Sequence, residues 1–156
     1  MKRLSTGSLS SIEKAVIDEI RALRASPGSV QPSTLLASPA RFVHHFIHAS
    51  HGNVQLRIAT LARELGVEMR TLERTFFDEY QKTMVQCQVE VRLAFSLWLL
   101  AVFPPTKISA IAALLGYDQV QGFNRFFKRH MRQSPSAWGH EERERIAHEQ
   151  KRSSPD

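Results

Sequence analysis

The stretch Ile108–Trp138, ISAIAALLGYDQVQGFNRFFKRHMRQSPSAW, decides the fold of this chain. Apolar Ile108, Ile111, Ala112 and Leu115 recur at helical spacing, so one face of a short helix looks inward. Gly116 breaks that helix, and Tyr117 and Asp118 lead into a second one. In the second helix Phe123, Phe126 and Phe127 share a core-facing side, while Gln121, Arg125, Lys128 and Arg129 point away from it. A short apolar helix, a glycine turn and a basic amphipathic helix make the layout of a helix-turn-helix.

The same pattern stands earlier in the chain. Ile58, Leu61, Ala62, Leu65 and Gly66 correspond to Ile108, Ile111, Ala112, Leu115 and Gly116, and Leu72, Arg74 and Phe76 correspond to Phe123, Arg125 and Phe127. The later copy has one extra residue in its turn. Two units in tandem follow, with second helices near Met69–Tyr80 and Gln119–Met131. Between them Met84–Phe103 reads as one long helix that Pro104 and Pro105 terminate. Its run VRLAFSLWLLAVF is apolar nearly all round, as suits a helix packed against both units and holding them in a fixed relation.

Upstream, Ser38 and Pro39 supply a cap and a first-turn proline for a helix reaching about Ser50, which buries Phe42, Val43, Phe46 and Ile47. That helix and its end also hold His44, His45, His48 and His51. His44 and His48 stand one turn apart and can hold a transition metal only if a third ligand converges on them. No Cys or carboxylate beside them in sequence offers itself, so neither a metal nor another cofactor is expected. Residues 1–38 read as a loose arm with one helix near Ser11–Ala25, carrying a stripe of Ile12, Val16, Ile20 and Leu23. Beyond Gly139 the residues HEERERIAHEQKR read as a charged tail, a solvated helical extension that then frays.

The fold class expected is all-α: two helix-turn-helix subdomains joined by a long linker helix, about seven helices with an N-terminal arm. The boundaries are 1–38 for the arm, 39–139 for the domain and 140–156 for the tail. A chain of 156 residues suits one domain with tails. A net charge of +6, most of it between residues 39 and 139, favours a polyanionic partner. The single cysteine, Cys87, excludes an intramolecular disulfide, fits a reducing cytoplasm and suits a buried structural thiol. MKRLSTGSLSS lacks the apolar run of a secretory signal, and Val91–Phe103 is interrupted by Arg92 and falls short of the ~20 residues of a membrane span. A soluble cytoplasmic protein, bacterial and nucleoid-associated, is expected.

LARELG at Leu61–Gly66, LERTF at Leu72–Phe76, RLAFSLWLL at Arg92–Leu100, IAALLGY at Ile111–Tyr117, FNRFFKRH at Phe123–His130 and SPSAW at Ser134–Trp138 resemble the DNA-binding domain of AraC/XylS-type transcription regulators. The resemblance covers about Ala40–Gly139. It implies two recognition helices entering successive major grooves, ~34 Å apart on one face of the duplex. It also implies base contacts from Arg70, Glu73 and Arg74 in the first unit and from Val120, Gln121, Gly122 and Arg125 in the second. Lys128 and Arg129, late on their helix, are expected on phosphates. Arg92, charged within the apolar linker, is expected to be structural, paired with a carboxylate or carbonyl oxygens. Glu68 stands where the family has a capping Ser, Gln81 and Arg132 where it has Gly, and Gly139 where it has Arg.

A sequence-specific DNA-binding transcription regulator without catalytic activity is therefore expected, with double-stranded DNA as partner, RNA polymerase or another regulator as protein partner, no membrane, and a monomer or weak dimer on DNA. The competing reading is a diverged interaction module whose DNA binding is auxiliary and non-specific. An enzyme would need a nucleophile with its base or a metal cluster, and neither Cys87 nor the helix histidines supply a recognisable set.

Overall fold

Ser38 opens the first helix, α1 (Pro39–Ala49), by accepting a hydrogen bond from the Arg41 amide on its side chain, with Pro39 in the first turn. The molecule is described here from a computed structural model covering Lys14, Ile17, Asp18, Arg21, residues 38–102 and residues 107–153. Among these residues there are seven helices and no strand. After α1 come α2 (Ile58–Leu65), α3 (Met69–Tyr80), α4 (Met84–Val102), α5 (Ile108–Leu114), α6 (Val120–Met131) and α7 (Pro135–Ser153). The all-α expectation holds, and the helices run where the apolar periodicity predicts them.

The chain forms two compact units, Met1–Gln88 and Val89–Asp156. In the first, α1, α2 and α3 pack against one another. Phe42, Val43 and Ile47 from α1, Leu61 from α2 and Leu72 and Phe76 from α3 are essentially inaccessible, and each such side chain contributes about 1.5–3 kcal/mol by leaving water. Ile17 is also buried, and Arg21 reaches Glu64 at 4.0 Å. Lys14, Ile17, Asp18 and Arg21 are helical, and the other residues of the helix expected at Ser11–Ala25, Ile12, Val16, Ile20 and Leu23 among them, lie outside the described residues, as do Pro104 and Pro105.

A reciprocal cap starts α4: the Gln86 amide donates to Thr83 Oγ1 at 3.1 Å, and the Thr83 amide donates to Gln86 Oε1 at 2.8 Å. The boundary between the units falls inside this helix, whose first turns bury Met84 and Cys87 and whose last turns bury Leu99 and Leu100. The apolar run alone is shorter than a membrane span, but the full helix has 19 residues and is apolar enough, by length and composition, to cross one. Glu90 and Arg92 sit mid-way along it. Charged residues near the centre of a span cost about 2.5–3.5 kcal/mol each, which weighs against a membrane span here. Nor is α4 enclosed on all sides, since Val85 (66%), Trp98 (48%) and Val102 (51%) remain exposed.

The second unit is built on Leu99, Leu100, Ile111, Ala112, Leu115, Phe123 and Phe127, flanked by half-buried Tyr117, Phe126 and Trp138. Ser134 begins α7, accepting from the Ala137 amide on its side chain at 3.2 Å and from the Trp138 amide on its carbonyl at 3.0 Å. Helix α7 then continues through residues 140–153, over the stretch read from sequence as a solvated helical extension. Arg145 pairs with both Glu142 and Glu149, and His140 lies 3.3 Å from Glu144. These exposed pairs at helical spacing support the helix locally.

Candidate nucleic-acid interface

Each unit turns sharply at a glycine with positive φ. Gly66 ends α2 at φ 68°, with its amide and that of Val67 returning to the carbonyls of Arg63 and Ala62. Gly116, at φ 84°, follows Leu115 at the end of α5, and the Gly116 and Tyr117 amides return to Ala113 and Ala112. Such closures satisfy the last carbonyls of a helix while reversing the chain, and the left-handed region favours glycine. Two residues separate Gly66 from α3 and three separate Gly116 from α6, the extra residue read from the repeat.

In the first unit, Leu72 and Phe76 fix the inner face of α3. Arg70, Glu73, Arg74 and Phe77, spaced three to four residues apart, are exposed along another face. Glu73 also borders an apolar cleft of about 370 Å³ whose walls include Ile58, Met69, Met84 and Val85. Arg41 of α1 pairs with Glu79, which raises the pKa of the arginine, chiefly through their hydrogen bond. This pair links α1 to the last turn of α3 and leaves the face of Arg70 and Arg74 clear of it.

In the second unit, Phe123 and Phe127 anchor α6, and Gln121, Arg125, Lys128 and Arg129 are exposed. Val120 is half-buried against the core. Gly122 is packed by Tyr117: a Cβ there would meet Tyr117 Cδ1 at 3.0 Å, so a larger residue would displace the ring. Arg92 stands over the Phe126 ring at 5.0 Å and near the Tyr117 ring at 5.9 Å. A guanidinium on aromatic faces is held by cation–π attraction, so this structural arginine has aromatic neighbours that sequence alone did not reveal. Burial pushes the Tyr117 phenol above its ordinary pKa, with Arg92 pulling in the opposite direction.

The residues that depart from the family pattern behave as their chemistry requires. Glu68 makes no capping bond at the start of α3. Gln81 (φ 54°) and Arg132 (φ 62°) close α3 and α6 in the left-handed conformation that glycine adopts without strain. At Gly139 a Cβ would lie 2.9 Å from Arg143 Nη1, and Arg143 uses that space to donate to the Leu100 carbonyl at 3.1 Å. The arginine absent from position 139 is thus matched by one a turn later that caps the end of α4.

A family model described as a helix-turn-helix domain matches residues 61–141, just over half of the chain. The chain belongs to the AraC-type helix-turn-helix family. AraC-type domains are DNA-binding transcription regulators rather than enzymes, their ligand is double-stranded DNA, and they work as soluble cytoplasmic proteins. Two solved structures share the AraC-type fold. The C-terminal domain of AraT, a response regulator from Geobacillus stearothermophilus, is 24% identical, with 67% of this chain and 86% of that one covered at a TM-score of 0.60. The C-terminal domain of the two-component response regulator yesN from Fusobacterium nucleatum is 19% identical, with 63% and 94% covered at a TM-score of 0.56. No curated protein matches the chain in sequence.

Proposed function

We propose that the protein is a sequence-specific transcription regulator whose helices α3 and α6 enter two successive major grooves, ~34 Å apart along the duplex. The observation carrying this reading is that each unit ends a glycine turn in a helix pinned by buried apolar side chains on one side, Leu72 and Phe76 in α3 and Phe123 and Phe127 in α6, and presenting arginines on another. Arg70, Arg74 and Arg125 offer the paired donors that suit guanine O6 and N7, and Gln121 offers the donor and acceptor that suit adenine. Glu73 accepts from cytosine N4 or orients a neighbouring arginine. Val120 and Gly122 make a small apolar tip suited to a thymine methyl. Lys128 and Arg129 bind phosphates and set the register.

In this reading α4 joins the two reading heads, and the protein acts as a monomer or weak dimer in the nucleoid, touching RNA polymerase or another regulator. Selection of bound duplexes from a random pool, followed by sequencing and hydroxyl-radical footprinting, tests it. Enrichment of a site with two protected segments one helical turn apart is the expected result. Binding to every duplex alike, with no enriched site, would show that only backbone charge is recognised.

A further inference from the structure

We propose that His44, His48 and Cys87 form a metal site for a zinc-class divalent ion, with solvent as the fourth ligand. Their ligand atoms, the ring nitrogens of the two histidines and the cysteine Sγ, all lie within 4.8 Å of one another. Imidazole nitrogens one helical turn apart form a chelating pair, and a thiolate adds the soft donor that favours zinc over the hard cations. Sequence showed the pair but not the third ligand, because Cys87 comes from the first turns of α4, far along the chain from α1. This inference stands on the three ligand atoms and is independent of how the protein reads DNA.

The site is held by its surroundings. Cys87 is 2% exposed and so has a fixed position. The His44 ring is stacked flat on Tyr80 at 4.1 Å with an interplanar angle of 5°, and lies 6.2 Å from Phe76. Its ring centroid is 4.4 Å from that of His48. Bond lengths of about 2.0–2.1 Å to nitrogen and about 2.3 Å to sulfur put tetrahedral ligand atoms roughly 3.3–3.6 Å apart. The widest spacing the three atoms can have, 4.8 Å, exceeds that separation by no more than about 1.5 Å. A bound ion would tie α1 to α4 beside the last turn of α3, where Tyr80 sits.

The test is titration of the reduced, metal-free full-length chain with Co(II), then displacement by Zn(II). One equivalent should bind, with a thiolate-to-cobalt charge-transfer band in the near ultraviolet and the intense visible bands of a tetrahedral ion, both lost when Zn(II) is added. Cys87→Ser should remove the charge-transfer band. His48→Ala changes an exposed residue and leaves the core intact; it should weaken binding by about tenfold or more, at least the loss seen on removing an outer-shell partner. Zn(II) should raise the melting temperature of the unsubstituted chain in a concentration-dependent way, and His48→Ala should need about tenfold or more Zn(II) for the same rise. A cobalt spectrum without a sulfur band, or a sulfur band unaffected by His48→Ala, would overturn the assignment.

Discussion

Arg132 shows how a single residue records a local conflict. It closes α6 at φ 62°, and a side chain in that region costs on the order of 1 kcal/mol relative to glycine. Arg132→Gly should therefore raise the unfolding free energy by about 1 kcal/mol, read from the midpoint of urea denaturation at unchanged slope. Gln81→Gly should gain less, because the Gln81 side chain donates to the Asp78 carbonyl at 3.0 Å and that bond would be lost. His44 carries a pH effect of defined sign. Its folded pKa lies below the ordinary value, so the unfolded chain binds more protons and stability falls as pH drops through and below about 6.5. Denaturation midpoints between neutral pH and mild acid should show this fall, and His44→Gln should shrink it. On DNA, Arg125→Ala should cost ~1–3 kcal/mol at the preferred site and relax one base position, whereas Lys128→Ala should weaken all duplexes about equally. Equal loss on specific and random duplexes for Arg125→Ala would remove that residue from base readout.

Among the elements, the start of α3 and the end of α4 are where capping chemistry decides most. Glu68 leaves the first amides of α3 without a side-chain acceptor, although its charge favours the positive end of the helix dipole. Glu68→Ser exchanges the second effect for the first and should stabilise the fold by about 0.5 kcal/mol in the same denaturation assay. Arg143 works in the opposite sense, since it serves one of the terminal carbonyls of α4 from a half-buried position. Arg143→Leu should cost about 1 kcal/mol, the usual net value of such a hydrogen bond. Helix α4 marks the limit of reading an element from composition. An all-round apolar sequence was expected to be enclosed, yet Val85, Trp98 and Val102 are exposed, because the buried residues of the helix are concentrated at its first and last turns.

At the scale of the whole molecule, the protein consists of two units, each with its own buried aromatic pair or cluster, carrying a net charge of +6. Arg70, Arg74, Arg125, Lys128 and Arg129 are exposed, and in the proposed DNA complex the cations placed on phosphates release counterions. With Lys128 and Arg129 on phosphates, the log–log slope of affinity against salt should be about −1.8, roughly a tenfold loss over a fourfold rise in salt. Lys128→Ala should flatten that slope by about one. A slope near zero in a mobility-shift series would show that these cations do not meet the backbone.

The helices, the two glycine turns, the extra residue in the later turn and the inner faces carried by Leu72, Phe76, Phe123 and Phe127 are all legible in the order of residues. All of these depend on periodicity and turn chemistry within a few residues of each other. It also indicated which positions would sit awkwardly, since Gln81 and Arg132 occupy places where the chain must turn left-handed. Contacts between distant positions emerge on folding: Arg92 over Phe126, Arg143 on the Leu100 carbonyl, and Cys87 beside His44 and His48. The reason is physical. Local pattern sets which way a side chain faces along its own helix, but helix packing chooses its neighbours, and only packing brings ligands from different helices to one point.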